Sequence, residues 1–342
     1  MKNVMSSAKP PASPPSATAR LAVIGAGQLG SRHLQALALL DRPTNLEVVD
    51  PNPASLETAK TRLSEVPPNA APRGVQYHSR IDQLSADLDL VIVATHSDIR
   101  EKVVTELLAA KRVRYLVLEK LLFQSPGSYE RIASLLQRSG VKAWVNCPRR
   151  LWPQYVDLKA RLAGFRWLDL SVTGTQWGLG SNAIHFLDLL SFLGGPTDFK
   201  LSGELLDPEI LPSKRPGFVE FGGTLCGTSS HKGHVVMTVH PGEDLSCLLQ
   251  LATDRVRFNI NELEGKAWFS EAASGWAWRE LPFPRTMQSR LTHEVAQALL
   301  DGGDCGLTSF EESARLHQTL LRVFLPHLAR AGKARGDSCP LT

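Results

Sequence analysis

Leu21-Ala22-Val23-Ile24-Gly25-Ala26-Gly27-Gln28-Leu29-Gly30 is the stretch on which the fold turns. Four apolar residues, suited to a strand buried on both faces, run into three glycines, and Leu29, Leu34, Leu37 and Leu40 follow at helical spacing. Each glycine has its own duty in such a strand-to-helix turn. Gly25 permits the tight turn, Gly27 lets the backbone approach a pyrophosphate with no side chain in the way, and Gly30 lets the helix pack against the sheet. The helix opening at Gln28 and Leu29 points free N–H groups and its positive dipole end at an anion. Asp50 ends the next strand, Leu46 to Val49. A carboxylate there accepts hydrogen bonds from ribose hydroxyls and repels a 2′-phosphate, so NAD is favoured over NADP.

Outward from this turn, apolar runs of strand length alternate with helical patterns as far as Asn146. Strands are expected at Asp89 to Ala94, Tyr115 to Leu118 and Ala143 to Asn146, and helices at Pro53 to Val66, Asp98 to Ala110 and Pro126 to Arg138. That alternation predicts a doubly wound parallel sheet of the Rossmann type over 20–148. Beyond Arg150 the pattern becomes β-rich, with strands expected at Trp167 to Thr175, Phe218 to Cys226, His234 to His240, Leu245 to Ala252, Val256 to Asn261 and Lys266 to Phe269. Consecutive strands without crossover helices predict an α+β domain over 149–331 with a large, mainly antiparallel sheet. Helices are expected at Tyr155 to Ala163, Ile184 to Leu193, Thr286 to Leu300 and Ser309 to Ala329. Residues 1–19, rich in Pro, Ser and Ala, read as a disordered lead-in, and 332–342 as a flexible tail.

With 342 residues, 43% of them hydrophobic, the chain can bury two sizeable cores. Its 38 basic and 34 acidic residues are dispersed, giving no footprint for nucleic acid or a membrane surface. No apolar run reaches the ~20 residues that span a bilayer, and no secretory signal is legible, so a cytoplasmic protein is expected. Five widely spaced cysteines lack the close pairs of zinc sites, so no metal is expected and free thiols are.

The glycine fingerprint with His33 in the following helix, the Val91-to-Thr95 strand, Glu119-Lys120 at a strand end and the Gly180-to-Asp188 segment together resemble the Gfo/Idh/MocA family, relatives of glucose-fructose oxidoreductase and inositol dehydrogenase. The resemblance extends to the final helices through Thr292-His293-Glu294 and Phe310 to Leu321. It implies hydride transfer between a nicotinamide and a hydroxyl or keto group of a small sugar-like molecule, a sugar, cyclitol or nucleotide sugar. It also implies a homo-oligomer, dimer or tetramer. Lys120 matches the catalytic lysine of the family's Glu-Lys-Pro motif, with Glu119 holding it in place and Leu121 standing where the family has proline. The chemistry is consistent: alcohol oxidation releases a proton as well as a hydride, and an amine whose pKa is lowered by burial can take it.

In the family's Asp-x-Gly-x-His-x-x-Asp motif this chain has Ser181, Ala183, His185 and Asp188. The resemblance therefore gives His185 the second catalytic role and leaves Ser181 and Asn182 to hydrogen-bond the substrate, since serine cannot be a carboxylate base. Asp188, one turn on, is expected to orient His185 or to cap a neighbouring segment. At the domain junction, Arg149 and Arg150 either bind a substrate anion or fasten the two domains, and Trp177 either stacks on a sugar ring or belongs to the core. Thr95 and His96 fall on the loop that meets the nicotinamide ribose, with His96 where the family often has proline and Arg100 where histidine is common. Two other functions are compatible with these residues: a non-redox lyase or hydrolase using bound NAD, and a dinucleotide-binding sensor without turnover.

Overall fold

The computed structural model describes residues 18–69 and 71–342. The lead-in expectation therefore falls almost wholly on residues outside that description, and chain order begins at once with β1 (Ala19–Ile24). Its apolar residues are buried because parallel partners flank it on both sides, β2 (Thr44–Val49) and β4 (Asp87–Val93). Between them come α1 (Gly30–Leu37), α2 (Pro53–Ser64) and β3 (Pro72–His78), and after β4 follow α3 (Ser97–Ala110), β5 (Arg112–Leu118), α4 (Pro126–Ser139) and β6 (Lys142–Val145). The strand order β6-β5-β4-β1-β2-β3 reverses direction between β4 and β1. In such sheets the crevice beyond the strand ends at that switch point is the ligand site.

After a short 3-10 turn at Pro148–Leu151 come α5 (Pro153–Arg161), β7 (Leu168–Thr175), α6 (Leu179–Gly194), β8 (Phe199–Pro212), β9 (Val219–Ser229), β10 (His234–His240), β11 (Leu248–Thr253), β12 (Val256–Asn261), β13 (Lys266–Glu271) and β14 (Arg279–Pro282). These strands form an eight-stranded sheet in the order β14-β13-β12-β11-β7-β10-β9-β8, antiparallel except where β7 pairs β10. The chain then returns to the first domain. Here α7 (Thr292–Gly302) packs on α1, and β15 (Thr308–Ser309) pairs with β6 before α8 (Phe310–Arg330) crosses to β8 and α6. One buried apolar cluster runs without a break from Leu118 and Phe123, through Trp152, Tyr155 and Leu187, to Phe310 and Phe324, so the domains share a core.

Four strands are additional to those expected, the short β14 and β15 and the longer β3 and β8. In β3 the residues Pro72 and Gly74 interrupt the apolar pattern, and in β8 bulges at Ser202/Leu205 and Leu206/Ile210 break the alternation by which a strand is recognised. The expected flexible tail is a correction. Cys339 and Leu341 are buried, and the backbone around them is hydrogen-bonded to both domains: Cys339 N–H donates to Gln124 O (2.9 Å), Val219 N–H donates to Pro340 O (2.9 Å), and Ser97 Oγ donates to Leu341 O. Two apolar side chains with satisfied backbone neighbours outweigh the polar composition of 332–338.

Candidate functional site

The glycine turn has the geometry its spacing predicts. Gly25 has φ +93°, and a Cβ there would press at 3.0 Å on the backbone of Ala94 and Thr95. At Gly30 a Cβ would lie 1.7 Å from the Gly25 carbonyl oxygen, whereas at Gly27 it would meet nothing within 4 Å. The outer side of Gly27 is thus open space beside a helix start that no side chain caps, as a bound pyrophosphate requires. Asp50 is already partly engaged: one carboxylate oxygen accepts from Ala26 N–H and the other from Asn52 N–H, both at 2.8 Å. Each oxygen keeps a lone pair for a ribose hydroxyl. These residues fit a dinucleotide.

At the end of β5, Glu119 and Lys120 diverge. Glu119 is buried and turns toward α1, where it meets His33 Nε2 at 2.9 Å and accepts from Asn146 Nδ2. Burial alone would raise its pKa, but His33, Asn146 and Lys120 together hold it below the ordinary carboxylate value. Glu119 therefore does not hold Lys120 by a hydrogen bond; Lys120 Nζ donates to Ser181 O of α6 at 3.0 Å. Burial pulls the Lys120 ammonium below its usual pKa against the opposing charge of Glu119. The Lys120–Leu121 peptide bond is cis, and the buried guanidinium of Arg100 donates to the carbonyls of Leu121, Leu122 and Thr95 around it. Arg100, at the position where histidine is common in the family, thus fastens the loops on either side of Lys120.

Lys120 lines two neighbouring spaces. On the glycine-loop side is a gap of about 60 Å³ bounded by Gly27, Gln28, Leu29, Thr95, His96 and Glu119. On the other side is a cavity of about 520 Å³ bounded by Trp177, Ser181, Asn182 and Glu220. Thr95 Oγ1 is buried beside the gap without a hydrogen-bond partner, and His96 stands edge-on to Phe218 at 5.5 Å. Burial and the charge of Arg215 lower the His96 pKa. Ser181 and Asn182 come together with Lys120 because Gly178, at φ +73°, starts α6 next to the strand end that carries the lysine. Trp177 reaches the cavity with its ring edge-on to Phe186 and its Nε1 donating to Thr238 O at 2.9 Å.

His185 lies nearly two turns into α6, half-buried, with Nδ1 enclosed and unpartnered. Burial, then Lys120 and Arg149, drives its pKa well below the ordinary imidazole value. It is not among the side chains lining the 520 Å³ cavity. The orienting role expected of Asp188 is not what the structure has: Asp188 binds Arg150 at 2.8 Å, and the same guanidinium binds Glu312 at 2.7 Å. Arg150 thereby fastens the junction. Arg149 is held by both oxygens of Glu262 at 2.7 Å and borders a further cavity of about 820 Å³, which shares Gln176, Trp177, Asn182 and Lys214 with the first.

Three features of the site were beyond sequence reasoning. Glu220 of β9 places its carboxylate on the first turn of α6, accepting from Gly180 N–H (2.7 Å) and Ser181 N–H (3.2 Å). Arg215, on the β8–β9 turn, borders both the gap and the 520 Å³ cavity. Thr342, from the segment read as a tail, borders the same two spaces. Nothing in the sequence links these three to Lys120, because Arg215 and Glu220 lie about a hundred residues beyond it, in another sheet, and Thr342 lies further still. Among the described residues no group of His, Cys, Asp or Glu is arranged to hold a metal ion, and no helix is long and apolar enough to cross a membrane.

Residues 19–147 match the GFO_IDH_MocA profile, described as an oxidoreductase family with an NAD-binding Rossmann fold. No curated protein matches the chain in sequence. Among solved structures, UDP-N-acetylglucosamine 3-dehydrogenase GnnA from Acidithiobacillus ferrooxidans superposes with a TM-score of 0.69 at 16% identity, covering 92% of this chain and 98% of that one. An oxidoreductase from Agrobacterium radiobacter in complex with NAD+, L-tartaric acid and magnesium gives 0.69 at 12% identity, covering 90% and 95%. The transcriptional regulator Gal80p from Kluyveromyces lactis gives 0.67 at 15% identity, covering 90% and 89%. At these identities the likeness is one of fold.

Proposed function

We propose, from the premise that residues 19–147 form a Gfo/Idh/MocA-type NAD-binding domain, that the protein is a dehydrogenase or reductase acting on a CH–OH group. Its substrate class is a sugar, cyclitol or nucleotide sugar. The observation that carries this reading is the position of Lys120, whose side chain borders both the gap beside the glycine loop and the cavity beside Ser181 and Asn182. NAD, when bound, supplies the acceptor for the substrate's C–H hydrogen and its electron pair. Gly25, Gly27 and Gly30 hold its pyrophosphate, Gln28 and Leu29 contribute helix-start N–H groups, and Asp50 selects the unphosphorylated ribose.

Lys120 takes the hydroxyl proton in the oxidative direction and returns it in the reductive one. Burial assists by keeping a larger share of the amine neutral than in water. His185, also neutral, stands behind the cavity lining and supports α6 there rather than carrying charge to the substrate. Ser181, Asn182 and Trp177 line the cavity where the substrate ring sits, and the wider space bordered by Arg149 has room for a substituent on that ring. Thr95 and His96 border the gap beside the glycine loop and would meet the nicotinamide ribose there. Lys120→Met should leave NAD binding unchanged by fluorescence titration while turnover on a panel of sugars and nucleotide sugars falls about 10²–10⁴-fold. Full activity in that variant overturns the assignment.

A second reading, a dinucleotide-binding sensor, draws on the small gap of about 60 Å³ at Lys120. Tight NAD binding by the unmutated protein without turnover across that panel would favour it.

A further inference from the structure

We propose that Glu220 is the proton partner of Lys120, accepting from the lysine the proton taken from the reacting hydroxyl and returning it in the reverse direction. This rests on the oxidoreductase reading above. Three observations carry it. Glu220 and Lys120 border the same 520 Å³ cavity. Both are attached to one residue of α6, since Lys120 Nζ donates to Ser181 O at 3.0 Å while Ser181 N–H donates to Glu220 Oε1 at 3.2 Å. The chain also makes room for the carboxylate: a Cβ on Gly180 would fall 3.0 Å from Glu220 Oε2, and one on Gly178 would fall 3.1 Å from Oε1. Two glycines flank a buried acid whose oxygens face the lysine's own anchor.

The electrostatics agree with that placement. Burial raises the Glu220 pKa against the hydrogen bonds from Ser181 and Gly180 and the charge of Lys120. Burial lowers that of Lys120. An acid pushed up and an amine pushed down, lining one cavity, exchange a proton at less cost than the same groups in water. The other groups facing Glu220 are Lys214 and Arg215 from the β8–β9 turn and Cys339 from the 332–342 segment. Burial raises the pKa of the Cys339 thiol, and the exchange proposed is between Glu220 and Lys120.

In the oxidative direction, the hydrogen of the substrate's C–H bond would pass with its electron pair to bound NAD. The C–O single bond becomes a carbonyl, and the hydroxyl proton goes to the neutral Lys120 amine. Lys120 and Glu220 make no direct contact, so the ammonium gives up that proton to water in the 520 Å³ cavity that both groups line; the ionised Glu220 takes it from there and releases it to bulk water, and both groups return to their starting states.

The test compares Glu220→Gln with the unmutated protein. The amide oxygen still accepts from Gly180 and Ser181, so circular dichroism and NAD titration should be unchanged. In cofactor-free protein, an NMR titration of the Lys120 side-chain nitrogen should show its pKa falling once the negative charge across the cavity is gone, with Glu119 still in place. In the loaded enzyme kcat should fall about 10²-fold at little-changed KM, and the acidic limb of its pH profile should lose one ionisation. Glu220→Asp, which keeps the charge on a shorter arm, should recover part of both effects and serves as the primary variant if the glutamine protein does not fold. An unmoved Lys120 titration and an unaltered pH profile would reduce Glu220 to a cap on α6 and overturn the proposal. A shifted Lys120 titration with no turnover on any substrate supports the pairing while overturning the oxidoreductase reading.

Discussion

Gly27 and Gly30 stand three residues apart in the same loop, yet adding a side chain at each has a different consequence. At Gly30 the new carbon would sit 1.7 Å from a backbone oxygen that cannot swing away. Gly30→Ala should therefore destabilise the protein by on the order of 3 kcal/mol or more, read by denaturant unfolding. At Gly27 nothing lies within 4 Å, so Gly27→Val should unfold at the same denaturant concentration as the parent and fail only in NAD titration. Normal NAD binding by that variant would move the phosphates elsewhere. The duties of these glycines were legible because they are local, set by the spacing of residues within one turn. Glu220 was illegible for the opposite reason: a glutamate in a strand such as Val219-Glu220-Phe221 reads as an exposed edge residue until α6 is packed against it.

Among elements, the short 3-10 turn at Pro148–Leu151 has the largest mechanical role for its length. Arg150 ties it to α6 through Asp188 and to α8 through Glu312, with the arginine 9% and the aspartate 0% exposed at their side chains. Removing one partner of a buried pair strands the other charge, and Arg150→Met should cost roughly 3–5 kcal/mol in a chemical unfolding measurement. A loss below about 1 kcal/mol would mean that the junction is held by its apolar contacts alone. From the sequence, both junction arginines could equally have been substrate ligands, because the acids that occupy them lie 38 to 162 residues away. Elements with an uninterrupted period, such as β4 and α4, were readable. β8 was not, since its two bulges and Pro208 are accommodated by an edge position that only the assembled sheet defines.

For the whole molecule, the segment ending in Cys339, Pro340, Leu341 and Thr342 matters more than its length suggests. It is bonded on one side to Ser97 and Gln124 of the Rossmann domain and on the other to Val219 of the large sheet. A variant lacking 337–342 should keep both domains folded, yet show faster amide exchange along β9 and α3, read by hydrogen–deuterium mass spectrometry. Unchanged exchange at both elements would show that the shared core alone joins the domains. The gap on the cofactor side of Lys120 holds about 60 Å³ with Thr342 and Arg215 on its walls, whereas ligand pockets run to roughly 300 Å³ and more. In stopped flow, the observed association rate should climb with NAD and then level off at the rate at which the segment lifts, a first-order ceiling set by the protein. The shortened variant should climb without that plateau; a plateau kept in both would leave the segment a clasp between domains and not a clock on entry.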